Sequence, residues 1–190
     1  MDYSKRPDIQ RLHSAFASRR DQARREFGHL DRGAFNWSPE PGRWSVAECL
    51  EHLNQTGQRW ADHLGPILFA AMRHGVHHRT PHVPGRIGRK AIAMMETVSR
   101  PLTAPAPFRP ADRSDFEPRQ VFWAFNAVGE SWEATLRRAC LLDLSSIRVG
   151  SPAAAWMRLP LGTWLFSLSA HEDRHLEQAR CVLSDPGFPA

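Results

Sequence analysis

Apolar and polar positions recur along most of this chain with the period of an α-helix. Ile9, Leu12, Phe16, Ala23 and Phe27 fall on one face of a first predicted helix, from about residue 8 to 28. A connector rich in Pro, Gly and Trp runs from Asp31 to Trp44 and ends on a helix start signal. Ser45 can cap, Glu48 stands three residues on to complete a capping box, and Trp44 precedes the cap as a staple. The second helix therefore opens at Val46, and Leu50, Leu53, Trp60, Leu64, Leu68 and Ala71 carry its apolar face to about Arg73. Val121, Phe125, Val128, Trp132, Leu136 and Ala139 mark a third helix from about Pro118 to Leu142, with Pro118 suited to its first turn. Leu161, Leu165, Leu168, Ala179 and Val182 mark a fourth, from about Pro160 to Ser184.

No segment shows the alternation of a half-buried strand, and no internal repeat is present. The pattern predicts an all-α chain built as a four-helix bundle. Between the second and third helices, residues 75–117 break the period with Gly75, Pro81, Pro84, Gly85 and the run PLTAPAPFRP at 101–110. They form a long connector or lid, with one short helix expected around Arg86 to Glu96.

Composition narrows the class. A chain of 190 residues can bury one apolar core without covalent staples, so residues 1–190 are expected to form a single domain. Cys49, Cys140 and Cys181 lie far apart with no CxxC spacing, as expected of reduced thiols in a cytoplasmic protein. The opening run MDYSKRPDIQRLHS is charged from its second residue and has no apolar signal region. The longest uncharged apolar stretch, Leu159 to Ala170, is too short to cross a bilayer and is broken by Pro160 and Gly162. The formal charge of +5 raises the question of nucleic acid. The positive charge is nearly all arginine spread along the chain, and its densest run, Arg19 to Arg25, includes Asp21 and Ala23 as a solvated helix face does. Neither a membrane nor a nucleic acid is an expected partner.

The candidate chemistry lies in histidines. His171 and His175 are four residues apart on the fourth helix, in line with Leu161, Leu165 and Leu168, so both rings face the interior on successive turns. Two neutral interior imidazoles need hydrogen-bond partners or a metal. HEDRH at 171–175 also has the H-E-x-x-H spacing of zinc proteases, with Glu172 as general base. The surroundings do not follow it, because Gln178 and Cys181 stand at the downstream glycine and third-ligand positions of the longer pattern. The third ligand is therefore expected upstream. His52, one residue before core Leu53 and near the start of the second helix, faces the pair if the second and fourth helices run antiparallel. Glu48 is assigned to the capping box, and Glu51 and Glu172, adjoining the ligands in sequence, are expected at the surface or behind them. Asn126 and Trp123 are candidates for lining a cavity. His74, His77, His78 and His82 are expected in a solvated loop, and Trp37, Trp60, Trp132, Trp156 and Trp164 in core or connector packing.

The run WSVAECLEHL, Trp44 to Leu53, and the late HxxxH on the last helix resemble the DinB/YfiT-like superfamily of metal-binding four-helix bundles. The resemblance implies that His52, His171 and His175, which match its three ligand positions individually, hold a divalent metal: Zn or Ni in the first place, with Fe, Mn and Co also accepted by three imidazoles. Three ligands leave coordination positions open, as in catalytic sites. The resemblance further implies a small-molecule substrate and one of two activities, S-transfer with a low-molecular-weight thiol or hydrolysis. A non-catalytic metal or ligand binder is the alternative. A homodimer is expected by analogy with other bundles.

Overall fold

The computed structural model of the protein describes residues 3–78, 80–96, 108 and 115–189. Among them are six helices, α1 (Pro7–Phe27), α2 (Arg32–Asn36), α3 (Val46–Arg73), α4 (Arg86–Glu96), α5 (Pro118–Ala139) and α6 (Leu161–Leu183), and two strands, β1 (Arg148–Ser151) and β2 (Ala154–Pro160). The four long helices and the short one at 86–96 lie where the periodicity places them. α3 begins as expected: Glu48 N–H donates to Ser45 Oγ at 3.2 Å and Ser45 N–H to Glu48 Oε2 at 2.8 Å, closing the capping box. No helix among the described residues is long and apolar enough to cross a membrane.

Three features depart from the sequence expectation. α2 interrupts the connector at 31–44. It is a single turn started by Asp31, whose carboxylate accepts from Ala34 N–H at 2.8 Å, and it is too short to show a period. The chain is not wholly helical, because β1 and β2 pair antiparallel into a hairpin that feeds directly into α6. β2 is largely exposed and so lacks the alternation that reveals a strand, and Trp156 on it is 84% exposed instead of packed. Third, α5 ends at Ala139, short of Leu142. The buried Arg6 guanidinium donates to the carbonyls of Ala139 and Leu142, each at 3.3 Å, and so satisfies oxygens beyond the last regular turn.

α3 and α1 each pack against both α5 and α6, which closes the long helices into a ring, and α4 lies along the outside of α6. Close approach of α3 and α5 depends on Gly57, where an added Cβ would stand 2.3 Å from Val128 Cγ1. The core has two apolar compartments. One gathers Ile9, Leu12, Leu64, Leu68, Leu136 and Leu165; the other gathers Phe27, Phe35, Leu50, Phe125, Leu176 and Val182. Along α3 and α6 the stretch between them is polar and buried: His52, Asn54 and Thr56 on one helix, Ser167, Ser169, Glu172, Arg174 and His175 on the other. Each such group needs a partner or a task.

Of the connector at 75–117, residues 79, 97–107 and 109–114 lie outside the described residues. Its first part is not the solvated histidine loop expected from sequence. His74 and His77 are exposed, but His82 is buried. Its ring bonds Ser145 Oγ at 2.9 Å and Thr163 Oγ1 at 3.1 Å, and its backbone N–H donates to Asp8 Oδ2 at 2.8 Å. The proline and glycine breaks therefore lay this segment onto α1 and the start of α6.

Candidate metal centre

α3 and α6 run antiparallel, since His52 near the start of α3 meets the second half of α6 while Trp60, two turns later, meets Trp164 near the start of α6. This brings His52, His171 and His175 together from positions more than a hundred residues apart. One ligating atom from each lies within 4.8 Å of the others, and the ring centroids stand 4.5 to 5.0 Å apart. His52 and His175 are buried and His171 is partly exposed to the adjoining cavity.

The hydrogen bonds around the rings decide which nitrogens face inward. His52 Nδ1 meets the carbonyl oxygen of Phe108, which only accepts, so Nδ1 carries the proton and Nε2 keeps a lone pair. His175 Nδ1 meets Gln178 Oε1 at 3.0 Å with the same consequence. The remaining inward contact is His52 Nε2 to His171 Nε2 at 3.1 Å, one imidazole set against another with no oxygen between. Burial pushes all three rings toward the neutral form: His171 down to about 3, with His52 beside it adding repulsion, His52 lowered by burial, and His175 well below its ordinary value by burial and then by its two neighbours. Neutral imidazoles with convergent ring nitrogens, two of them held from behind by an oxygen on Nδ1, are the donor set of a divalent transition metal, and the residues present fit one. Trp44, the residue before the helix cap, lies over this group, stacked on His175 at 5.5 Å and 27° and 5.0 Å from His52.

A cavity of about 310 Å³ opens beside the histidines, within the usual range for small-molecule sites. Trp44, Trp60, Trp164, Phe108 and methionines from α4 and β2 give it an apolar wall. Arg174 lines it at the level of the histidines.

A family model described as the DinB superfamily matches residues 15–179. The chain belongs to the DinB superfamily. No curated protein and no solved structure matches it. The DinB match covers the positions of all three histidines.

The other candidates fall into place around this DinB-type core. Glu48 is held in the capping box, and Glu51 bonds Gln55 at 3.1 Å along its own helix. Glu172 is not at the surface but buried behind the centre, hydrogen-bonded to the Trp132 side chain, and burial pushes its carboxyl up to about 8. α6 is packed on more than one side, so pointing away from the histidines leads into the core. Trp123 and Asn126 do not reach the cavity; they line a separate groove with Arg24 and Arg119. Phe108 was missed, because a backbone carbonyl carries no sequence signal. Thr56 and Ser167 were missed too, although their positions one turn from His52 and His171 were available.

Proposed function

We propose that this protein is a divalent-metal-dependent enzyme acting on a small molecule, with His52, His171 and His175 as the metal ligands in a four-helix-bundle domain, and that its reaction is thiol-dependent S-transfer. The observation that carries the proposal is the convergence of three neutral imidazoles at the edge of a cavity. No fourth His, Cys, Asp or Glu joins them among the described residues, which leaves coordination positions facing the cavity. A divalent ion held there supplies Lewis acidity that lowers the pKa of a bound thiol or water.

S-transfer is favoured over hydrolysis by what surrounds the centre. No carboxylate lines the cavity among the described residues, since Glu48, Glu51 and Glu172 are engaged elsewhere. A thiol, once ionised, attacks without a general base, whereas water activated for hydrolysis commonly uses one. Arg174 places a positive charge at the same level, which favours an anionic nucleophile. In the transfer, sulfur forms a bond to the electrophilic carbon, the leaving group departs with its electron pair, and the thiol proton ends on solvent or on the leaving group. The apolar wall excludes water from the competing reaction. A single domain and pairing of two chains belong to the same proposal.

The test is made with tag-free protein stripped by chelator and reloaded separately with Zn, Ni, Fe, Mn and Co. Elemental analysis is expected to give about one ion per chain in the parent and a large loss in His52→Ala and His171→Ala. The loaded protein is then offered 1-chloro-2,4-dinitrobenzene with low-molecular-weight thiols, and a p-nitrophenyl ester without them. Metal-dependent thioether formation supports S-transfer. Ester cleavage alone would favour hydrolysis, loading without either activity would favour a non-catalytic binder, and failure to load any ion overturns the site.

A further inference from the structure

Below the histidines, α3 and α6 present two further matched layers to the cavity. Thr56 stands four residues after His52, and Ser167 four residues before His171, so both lie one turn from a ligand on the same helix faces. One turn further, Trp60 and Trp164 meet with ring centroids 4.8 Å apart. Thr56 and Ser167 both line the cavity, and they are 6% and 2% exposed. Among the described residues the hydroxyl oxygen of each has no hydrogen-bond partner. A helical Ser or Thr ordinarily satisfies its hydroxyl on the carbonyl one turn back, and neither does so here. Two buried hydroxyls without partners among the described residues, on cavity-lining residues of facing helices, become available to a ligand group when a χ1 rotation turns them to the cavity.

The remaining wall decides what carries that group. Trp60 and Trp164 form the floor, and Met94, Met95 and Met157 flank it with flexible thioethers that pack well against aromatic faces. Among the described lining residues Arg174 is the only formally charged side chain, and it stands at the level of the histidines rather than with the hydroxyls. Resting on the reading of this centre as an open metal site, we infer that the second substrate is a neutral aromatic molecule bearing a hydroxyl or carbonyl group. Thr56 and Ser167 bond that group about 6 Å, four residues of helix rise, from the layer where the reacting atom meets the metal. The ring lies against the tryptophan floor. Thr56 and Ser167 are thus specificity-determining residues that sort polar aromatics from plain ones.

The experiment uses 2-naphthol and naphthalene as paired probes, titrated by calorimetry into the metal-loaded and the chelator-stripped protein, with metal content measured alongside. The parent is expected to bind 2-naphthol about five- to tenfold more tightly than naphthalene in both forms, the worth of one to two ordinary hydrogen bonds. The Thr56→Val/Ser167→Ala double variant is expected to lose that preference, to bind naphthalene as before and to keep the parent's metal content. Its melting temperature without ligand is expected to match or exceed the parent's, because removing an unpaired buried hydroxyl relieves a cost; a structural role for the pair would lower it. Equal binding of the two probes by the parent, a preference that survives in the double variant, a preference that vanishes on stripping the metal, or no binding of either probe would each overturn the assignment. Failure of the metal reading is seen separately, as a parent that loads no ion while the stripped protein still sorts the probes.

Discussion

Two groups of buried histidine sit on α6 and its neighbours, and they are opposites. Both ring nitrogens of His82 find hydroxyls, Ser145 on one side and Thr163 on the other, while its backbone bonds Asp8. Every polar atom there is answered within the protein. At His52, His171 and His175 the outer nitrogens of two rings are answered by Phe108 and Gln178, and the inner nitrogens face only each other. Burial alone does not distinguish a candidate ligand from a strut, for His52 and His175 are as buried as His82. What distinguishes them is where the hydrogen bonds stop: a strut is satisfied all round, and a ligand is held from behind and left open in front.

The comparison breaks most readily on stability. In metal-stripped protein, His82→Ala is expected to cost about 2–3 kcal/mol, since it opens a void and orphans the Thr163 hydroxyl, with no change in metal content on reloading. His171→Ala in the same stripped background is expected to stay within about 1 kcal/mol of the parent or to gain, because it removes a ring that faces other imidazoles beside a space already open. Denaturant unfolding of the two variants measures both, and equal costs would erase the distinction. The next effect is on affinity. Gln178→Leu removes the acceptor that sets the His175 tautomer and is expected to weaken metal binding about 10- to 100-fold in a chelator competition, whereas His82→Gln leaves it unchanged.

The smallest effect is on pH. Burial holds the His82 imidazole below its ordinary value, although Asp8 and Asp143 pull the other way. The unfolded chain therefore takes up its proton first as pH falls. The contribution of His82 to stability is complete above about pH 6.5 and is lost as pH drops toward the folded-state value. Stability curves of the parent and His82→Gln, compared between pH 7 and 5, are expected to converge from above, the parent falling more steeply. A parent curve no steeper than the variant's would place the His82 charge in solvent.

The helices were legible because each advertises a period and an end. Ser45 with Glu48, Pro118, and the runs of Leu at every third or fourth place are local signals, and local signals survive without tertiary information. The histidine cluster was legible for the same reason: four-residue spacing puts His171 and His175 on one face, and antiparallel packing then brings His52 to them. What escaped was non-local or backbone-borne. β2 is exposed along its length and owes its shape to β1, so no alternation marks it. His82 looked solvated because Pro81 and Pro84 break the helix around it, yet prolines say only that a chain turns, not where the turn lands. Phe108 serves through its carbonyl, an atom that all residue types share.

The proposed ligand set has a consequence for the unfolded chain. His52 and His171 are separated by 119 positions, so an ion bound to both ties the first third of the sequence to its last helix. Closing so long a loop is entropically expensive for a free chain but only slightly more so than closing a shorter one. In the native protein the closure is already made by helix packing. An ion that binds only the assembled form thus acts as a reversible cross-link, adding about 2.7 kcal/mol to the folding free energy when its free concentration is a hundred times its dissociation constant. On the proposed reading, the availability of metal sets the stability of the fold as well as the filling of its centre.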